Sequence, residues 1–98
     1  MIEIERVAEA VSRATKISVA DLCRPGSYDT RLARDVTIYL AVRDGRSGFD
    51  AVGVAFDLSR GDVVQGFNRV SVGSRLKVAD VVDLLFIAER ELEKLVST

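Results

Sequence analysis

Four polar side chains between positions 60 and 69 have the chemistry needed to read the bases of duplex DNA. We place them on the exposed face of a predicted fifth helix: Arg60, Gln65, Asn68 and Arg69. Arginine pairs bidentately with guanine, whereas glutamine and asparagine pair with adenine, so the set suits the major groove. A solvated helix face is the alternative. Asp62 favours it, because a carboxylate near the helix start repels phosphates.

The elements that position these side chains form a helix-turn-helix pattern. Residues 53–67, GVAFDLSRGDVVQGF, are typical of two short helices joined by a tight turn. A fourth helix over about 50–56 should bury Val52, Ala55 and Phe56. Ser59 is a suitable cap for the fifth helix, because its hydroxyl can accept from a free backbone donor. That helix should end near Val70.

Apolar spacing predicts three earlier helices. The segment 4–15 is amphipathic, and Ser18 starts a capping box for a short second helix that ends at 22 or 23. Thr30 is expected to cap a third helix, which stops at the glycine-containing segment 44–48. Since no stretch shows convincing strand alternation, the sequence predicts an all-α fold, a small bundle of five or six helices.

The longest periodic segment covers about residues 76–97. Its apolar residues follow a heptad seam: Val78, Val81, Leu85, Ala88, Leu92 and Leu95. Further apolar residues widen the surface beyond that seam. An ordinary core helix is one interpretation. The other is a homodimer, in which four residues pack against a second copy: Leu85, Phe86, Leu92 and Leu95.

Charge places a limit on DNA binding. The 98 residues suit one domain, and they carry 14 basic and 15 acidic side chains, a net charge of −1. Proteins that bind duplex DNA tightly usually carry a basic excess, because phosphate neutralisation supplies much of the affinity. Residues 31–69 hold six arginines and five aspartates, for +1, whereas residues 76–98 hold three basic and five acidic residues, for −2. The charge distribution therefore slightly favours DNA binding by the middle of the chain.

Several function classes are not expected. One cysteine, Cys23, and no histidine leave no internal disulfide, no zinc site and no activated nucleophile. No carboxylates fall into a recognised acid/base pair, so we expect neither an enzyme nor a cofactor or small-molecule substrate. No apolar run approaches the roughly 20 residues of a membrane span. The acidic, amphipathic start is unlike a secretion signal, and we expect a cytoplasmic location.

Two segments, LARDVTIYLAVRD and AVGVAFDLSRGDVV, carry a resemblance to a known family. With the amphipathic first helix, they resemble the carboxy-terminal DNA-binding domain of DnaA, the bacterial replication initiator. The resemblance covers about residues 4–70, and its anchors are the pairs Ala33-Arg34 and Tyr39-Leu40 together with Gly53 and Phe56. It implies a Trp-repressor-like helical fold that contains a helix-turn-helix.

The base-reading signature departs from that family. After the phenylalanine the family usually reads Gly-Gly-Arg-Asp-His-Thr-Thr-Val, whereas residues 57–64 read Asp-Leu-Ser-Arg-Gly-Asp-Val-Val. Ser59 stands where the family has arginine, and Arg60 follows one place late. The sequence also lacks a GxxxxGK[ST] phosphate loop, so it carries no ATPase module. The resemblance therefore implies a shared fold with an altered reading surface, in a regulatory role and not as an initiator.

The resemblance also implies a role for two arginines of the third helix. In related domains the start of this helix contacts phosphates and the minor groove, which implies the same for Arg31 and Arg34. The alternative is surface charge paired with Asp29 or Asp35. The predicted DNA-binding set is Arg31, Arg34, Ser59, Arg60, Gln65, Asn68 and Arg69. The competing function is a protein-interaction module that keeps the fold but has lost base reading.

Overall fold

The predicted all-helical architecture is confirmed in a computed structural model. The structure describes residues 3–24, 26–43, 48–72 and 78–97. Within these ranges it forms six helices: α1 Ile4–Thr15, α2 Val19–Cys23, α3 Tyr28–Arg43, α4 Phe49–Phe56, α5 Arg60–Val72 and α6 Val78–Ser97. Residues 25, 44–47 and 73–77, which include predicted breaks between helices and the start of the predicted last helix, lie outside the described residues.

α3 is the central helix and contacts all the others. Burial is nearly continuous along it, and its fully or almost fully buried apolar residues are Leu32, Ala33, Val36, Ile38, Leu40 and Ala41. Two polar residues, Asp35 and Thr37, are also completely buried. Thr37 Oγ1 donates to the backbone oxygen of Ala33 at 2.8 Å, which satisfies its hydroxyl within the helix. Asp35 needs a partner from another helix.

α1 and α6 pack side by side and cover one flank of α3. The buried residues of α6 follow the predicted seam: Val81, Ala88, Leu92 and Leu95. They lie in the same core as the buried residues of α1, which are Val7, Ala8, Ala10 and Val11. The heptad pattern therefore describes packing inside one chain. The prediction that Leu92 and Leu95 face a second copy is wrong, because both are buried here, and Leu85 is half-buried.

Three local predictions are wrong in detail. The cap of α3 is Ser27 and not Thr30, and the two residues bond reciprocally. Ser27 Oγ accepts from the Thr30 amide at 3.3 Å, and Thr30 Oγ1 accepts from the Ser27 amide at 3.0 Å. Ala55 is exposed, because α4 turns only Val52, Gly53 and Phe56 toward the core. α5 continues two residues beyond the predicted end.

Candidate nucleic-acid interface

A three-residue turn joins α4 to α5, at the place where the sequence predicts a helix-turn-helix. Asp57 ends α4 in the left-handed backbone region, with φ 55° and ψ 49°. The Leu58 amide then donates to the backbone oxygen of Gly53 at 2.8 Å, which closes the end of the helix. This turn redirects the chain into α5 within three residues.

Gly53 makes the tight turn possible. A Cβ at this position would lie 2.7 Å from the backbone oxygen of Leu58, closer than carbon and oxygen can approach without a shift. Because this oxygen belongs to the main chain, it cannot move aside as the end of a side chain would. Gly53 is thus required by the geometry of the turn, which gives a physical reason for one of the sequence anchors.

Ser59 caps α5, as predicted. Its Oγ accepts from the Asp62 amide at 3.2 Å, and its backbone oxygen accepts from the Val63 amide at 3.1 Å. The hydroxyl therefore has a defined structural partner at the start of the helix. Its place in the DNA-binding set rests on sequence position alone.

Three aromatic rings hold α5 against its two neighbours in the fold. Phe67 of α5 stacks on Tyr39 of α3, with ring centroids 5.2 Å apart. The same ring meets Phe49 of α4 edge-on at 5.6 Å. Offset-stacked and edge-to-face pairs are the favoured aromatic geometries. This cluster fixes α5 on α3 and α4 on α5.

A buried ion pair joins α3 and α5. Arg69 Nε donates to Asp35 Oδ2 at 2.7 Å, and Arg69 Nη2 donates to Asp35 Oδ1 at 3.1 Å. Asp35 is completely buried, whereas the Arg69 side chain keeps 23% of its surface exposed. The hydrogen bond that Arg69 donates to Asp35 raises the pKa of Arg69, and the guanidinium is charged at any physiological pH.

Gly66 leaves the space for this pair. A Cβ on Gly66 would lie 2.9 Å from Asp35 Oδ1 and 2.9 Å from Ile38 Cδ1. The absence of a side chain lets the backbone of α5 approach the buried carboxylate. The sequence did not predict a buried position for Asp35 or a packing role for Gly66. The sequence signal that could have indicated the buried ion pair was an aspartate inside the apolar run of α3.

The ion pair changes the role expected for Arg69. The guanidinium edge formed by Nε and Nη2 is occupied by Asp35. Arg69 therefore positions α5, and this edge is not available to a base in this conformation. The suggestion that Asp35 pairs with Arg31 or Arg34 is also wrong, since Arg69 takes both carboxylate oxygens.

The structure brings the predicted phosphate-binding arginines of α3 close to part of the predicted base-reading set on α5. Side chains of α3 and α5 line one open cleft of ≈ 350 Å³: Arg31, Arg34, Asp62, Gln65 and Arg69. Arg34 Nε is buried in the chain and has no hydrogen-bond partner among the described residues. A buried donor without an acceptor is costly, but Nε itself is covered, so the cleft presents a ligand with the positive charge of its three arginines against one aspartate. The arrangement suits an anion.

The remaining predicted residues lie on the exposed side of α5. Gln65 and Asn68 are exposed and one helical turn apart. Arg60 is exposed at the start of the helix, where Nη1 lies 3.3 Å from Asp50 Oδ2 of α4. Its guanidinium carbon also lies 5.9 Å from the centroid of the Phe49 ring. Arg60 thus has local partners, but in water these hold a side chain weakly.

No family model, curated protein or solved structure matches the chain. The resemblance to the DnaA domain therefore stays a prediction, and the interface rests on its own geometry. None of the helices in the described part of the chain is long and apolar enough to cross a membrane.

Proposed function

We propose that this protein binds duplex DNA through its helix-turn-helix, in a regulatory role. α5 enters the major groove and presents Gln65 and Asn68 to base edges, where both amides suit adenine. Arg31 and Arg34 contact phosphates beside the groove. Arg69 supports the interface indirectly, because its pair with Asp35 fixes α5 on α3.

The observation that carries this proposal is the cleft between α3 and α5. It brings Arg31 and Arg34 beside the exposed polar face of α5. In protein–DNA interfaces, phosphate contacts fix the position of the reading helix, and base contacts select the sequence. Here the two arginines of α3 lie next to the exposed polar face of α5, as a division between phosphate contacts and base contacts requires.

The same surface limits the affinity. Asp62 lines the cleft, and Asp50 pairs with Arg60 at the N-terminus of α5. Both carboxylates repel phosphates, and the whole chain has a net charge of −1. We therefore expect modest affinity with a strong dependence on salt, since binding relies on a few phosphate contacts.

The test is a fluorescence-anisotropy titration of labelled duplexes between about 50 and about 200 mM salt. Arg31→Gln and Arg34→Gln should each weaken binding to all duplexes and reduce the salt slope by about one. Arg13→Gln on α1 is the matched control, because it removes an exposed arginine that pairs with Glu9 outside the cleft. Affinity no tighter than about 10⁻⁴ M at low salt, or equal effects of all three changes, contradicts the proposal.

A second candidate function is a protein-interaction module that keeps the fold without reading bases. Two observations favour it: the carboxylates around α5, and the exposed apolar side chains Val82 and Phe86 on α6. This function predicts a complex whose affinity changes little with salt. The same titration separates the candidates, because only DNA binding gives a steep salt slope.

A further inference from the structure

One side of α6 exposes large apolar side chains. Val82, Phe86 and Ile87 are 56%, 61% and 45% exposed, within six residues of one another. The Arg90 guanidinium carbon lies 5.6 Å from the centroid of the Phe86 ring, on the same side of the helix. We call the set Val82, Asp83, Phe86, Ile87 and Arg90 the α6 surface. It lies opposite the buried seam.

We propose that the α6 surface binds a second copy of the chain, with the two α6 helices antiparallel. The two-fold axis passes between Phe86 and Ile87, so that these residues meet their own copies at the centre. This dimer does not depend on DNA and goes beyond the proposed function. It keeps Phe86 from the predicted dimer surface but not Leu92 and Leu95, which are buried within each chain.

The order of charges along α6 favours a second copy of the chain in the antiparallel arrangement. Asp83 lies one turn before the proposed axis, and Arg90 lies one turn after it, on the same side as Phe86. A two-fold interface brings the same patch of both subunits together. In the antiparallel arrangement Asp83 therefore lies opposite Arg90 of the second copy, and this pair forms twice. A parallel arrangement would bring like charges together.

The flank of α6 repeats this complementarity. Asp80 and Lys94 lie on the side of Ile87, six and a half residues before the axis and seven and a half after it, so antiparallel packing brings each near the other's copy. Glu93, six and a half residues after the axis, lies on the other side, with Phe86. Asp80 also accepts a hydrogen bond from the Tyr28 hydroxyl at 3.1 Å, and Lys94 pairs with Glu91 at 3.2 Å.

A neighbouring groove adds apolar area to the α6 surface. Ile87 borders it, and its other apolar lining residues are Ile17, Leu32 and Leu84. The groove is open and has a volume of ≈ 600 Å³. Its lining also includes Asp29, Asp80 and Asp83, so only its apolar part beside Ile87 adds area that a second copy would bury.

The first experiment is sedimentation equilibrium over a range of protein concentrations, without DNA. The mass should rise from 10.7 kDa toward twice that value. Phe86→Glu should abolish this rise, because it places two carboxylates at the axis. Val54→Glu on α4 is the matched control, since Val54 is 85% exposed and lies outside the α6 surface. A mass of one chain at every concentration overturns the proposal.

A charge exchange then tests the orientation. Asp83→Arg and Arg90→Asp should each weaken dimerisation at least about tenfold, because each creates two pairs of like charge. An equimolar mixture of the two variants should dimerise as the wild type does, since both pairs are then opposite in sign. The double variant should do the same by itself. Both changes are on exposed residues, so circular dichroism should be unaltered.

The mixture gives the decisive comparison. If the single variants dimerise as the wild type does, or if mixing them fails to restore dimerisation, the antiparallel arrangement is wrong. Neither outcome bears on DNA binding, which is measured separately through Arg31 and Arg34.

Discussion

Asp35 and Arg69 form a two-point ion pair that joins α3 to α5 at the base of the cleft. Its two hydrogen bonds measure 2.7 and 3.1 Å, and Asp35 is completely buried. A planar guanidinium matched to a carboxylate fixes orientation as well as distance. The pair therefore contributes to the angle at which α5 is presented, and the aromatic contact between Tyr39 and Phe67 supports the same helix.

Arg69→Met tests the energetic role of this pair. The change leaves the Asp35 carboxylate buried without its partner, and we expect a loss of about 3–5 kcal/mol in the free energy of unfolding. Asp35→Asn removes the charge and keeps the shape, so it should cost less, about 1–3 kcal/mol. Urea unfolding of the single and double variants measures the coupling. A cost below about 1 kcal/mol for Arg69→Met would show that the pair does not hold α5.

Gly66→Ala tests the close approach of α5 to Asp35. The added Cβ would lie 2.9 Å from both Asp35 Oδ1 and Ile38 Cδ1, so we expect a loss of about 1–3 kcal/mol despite the better helix propensity of alanine. Gly61→Ala is the matched control in the same helix. Its Cβ would meet only Ser59 Oγ, at 3.9 Å, so the change should stabilise by up to about 1 kcal/mol. Thermal unfolding measures both, and equal effects would contradict the packing argument.

The helices were predictable because their signals are local. Apolar spacing predicts α1 and α6, and the caps Ser18 and Ser59 bond as their positions suggest. The error at the start of α3 arose because Ser27 and Thr30 are both good capping residues, three positions apart. Only the reciprocal bonds between them identify Ser27 as the cap.

Long-range pairing was not predictable in the same way. Arg69 looks like a groove-reading arginine in the sequence, because nothing local shows that Asp35, 34 positions earlier, takes its donors. The heptad seam of α6 had two possible partners, a second copy or α1, and periodicity cannot distinguish them. Only the packing of α1 on α6 buries Leu92 and leaves Phe86 exposed.

Ser59→Ala separates the capping role from a role in DNA binding. Loss of the hydroxyl that accepts from the Asp62 amide should cost about 1 kcal/mol of unfolding free energy. Duplex affinity should stay unchanged well below the unfolding temperature. Ser71→Ala is the control near the other end of α5, where the hydroxyl makes only a long contact of 3.5 Å and the change should be nearly neutral. A loss of duplex affinity with unchanged stability would assign Ser59 to the interface instead.

The pair between Asp50 and Arg60 controls how much positive charge α5 presents at its start. Both side chains are mostly exposed, and the contact is long, at 3.3 Å. Asp50→Asn releases Arg60 and removes one carboxylate that repels phosphates. We expect duplex affinity at low salt to rise about two- to fivefold. Arg60→Gln should lower it, and Asp50→Asn should help much less when Arg60 is already replaced.

The control for this prediction is Glu9→Gln on α1, which also frees an arginine, Arg13, from an exposed carboxylate. It changes the net charge by the same amount as Asp50→Asn, but α1 packs on α3 and α6 and takes no part in the cleft. If both changes raise duplex affinity equally, the effect comes from net charge alone. A gain limited to Asp50→Asn locates DNA at the start of α5, because only a phosphate close to Arg60 responds to that carboxylate more than to a distant one.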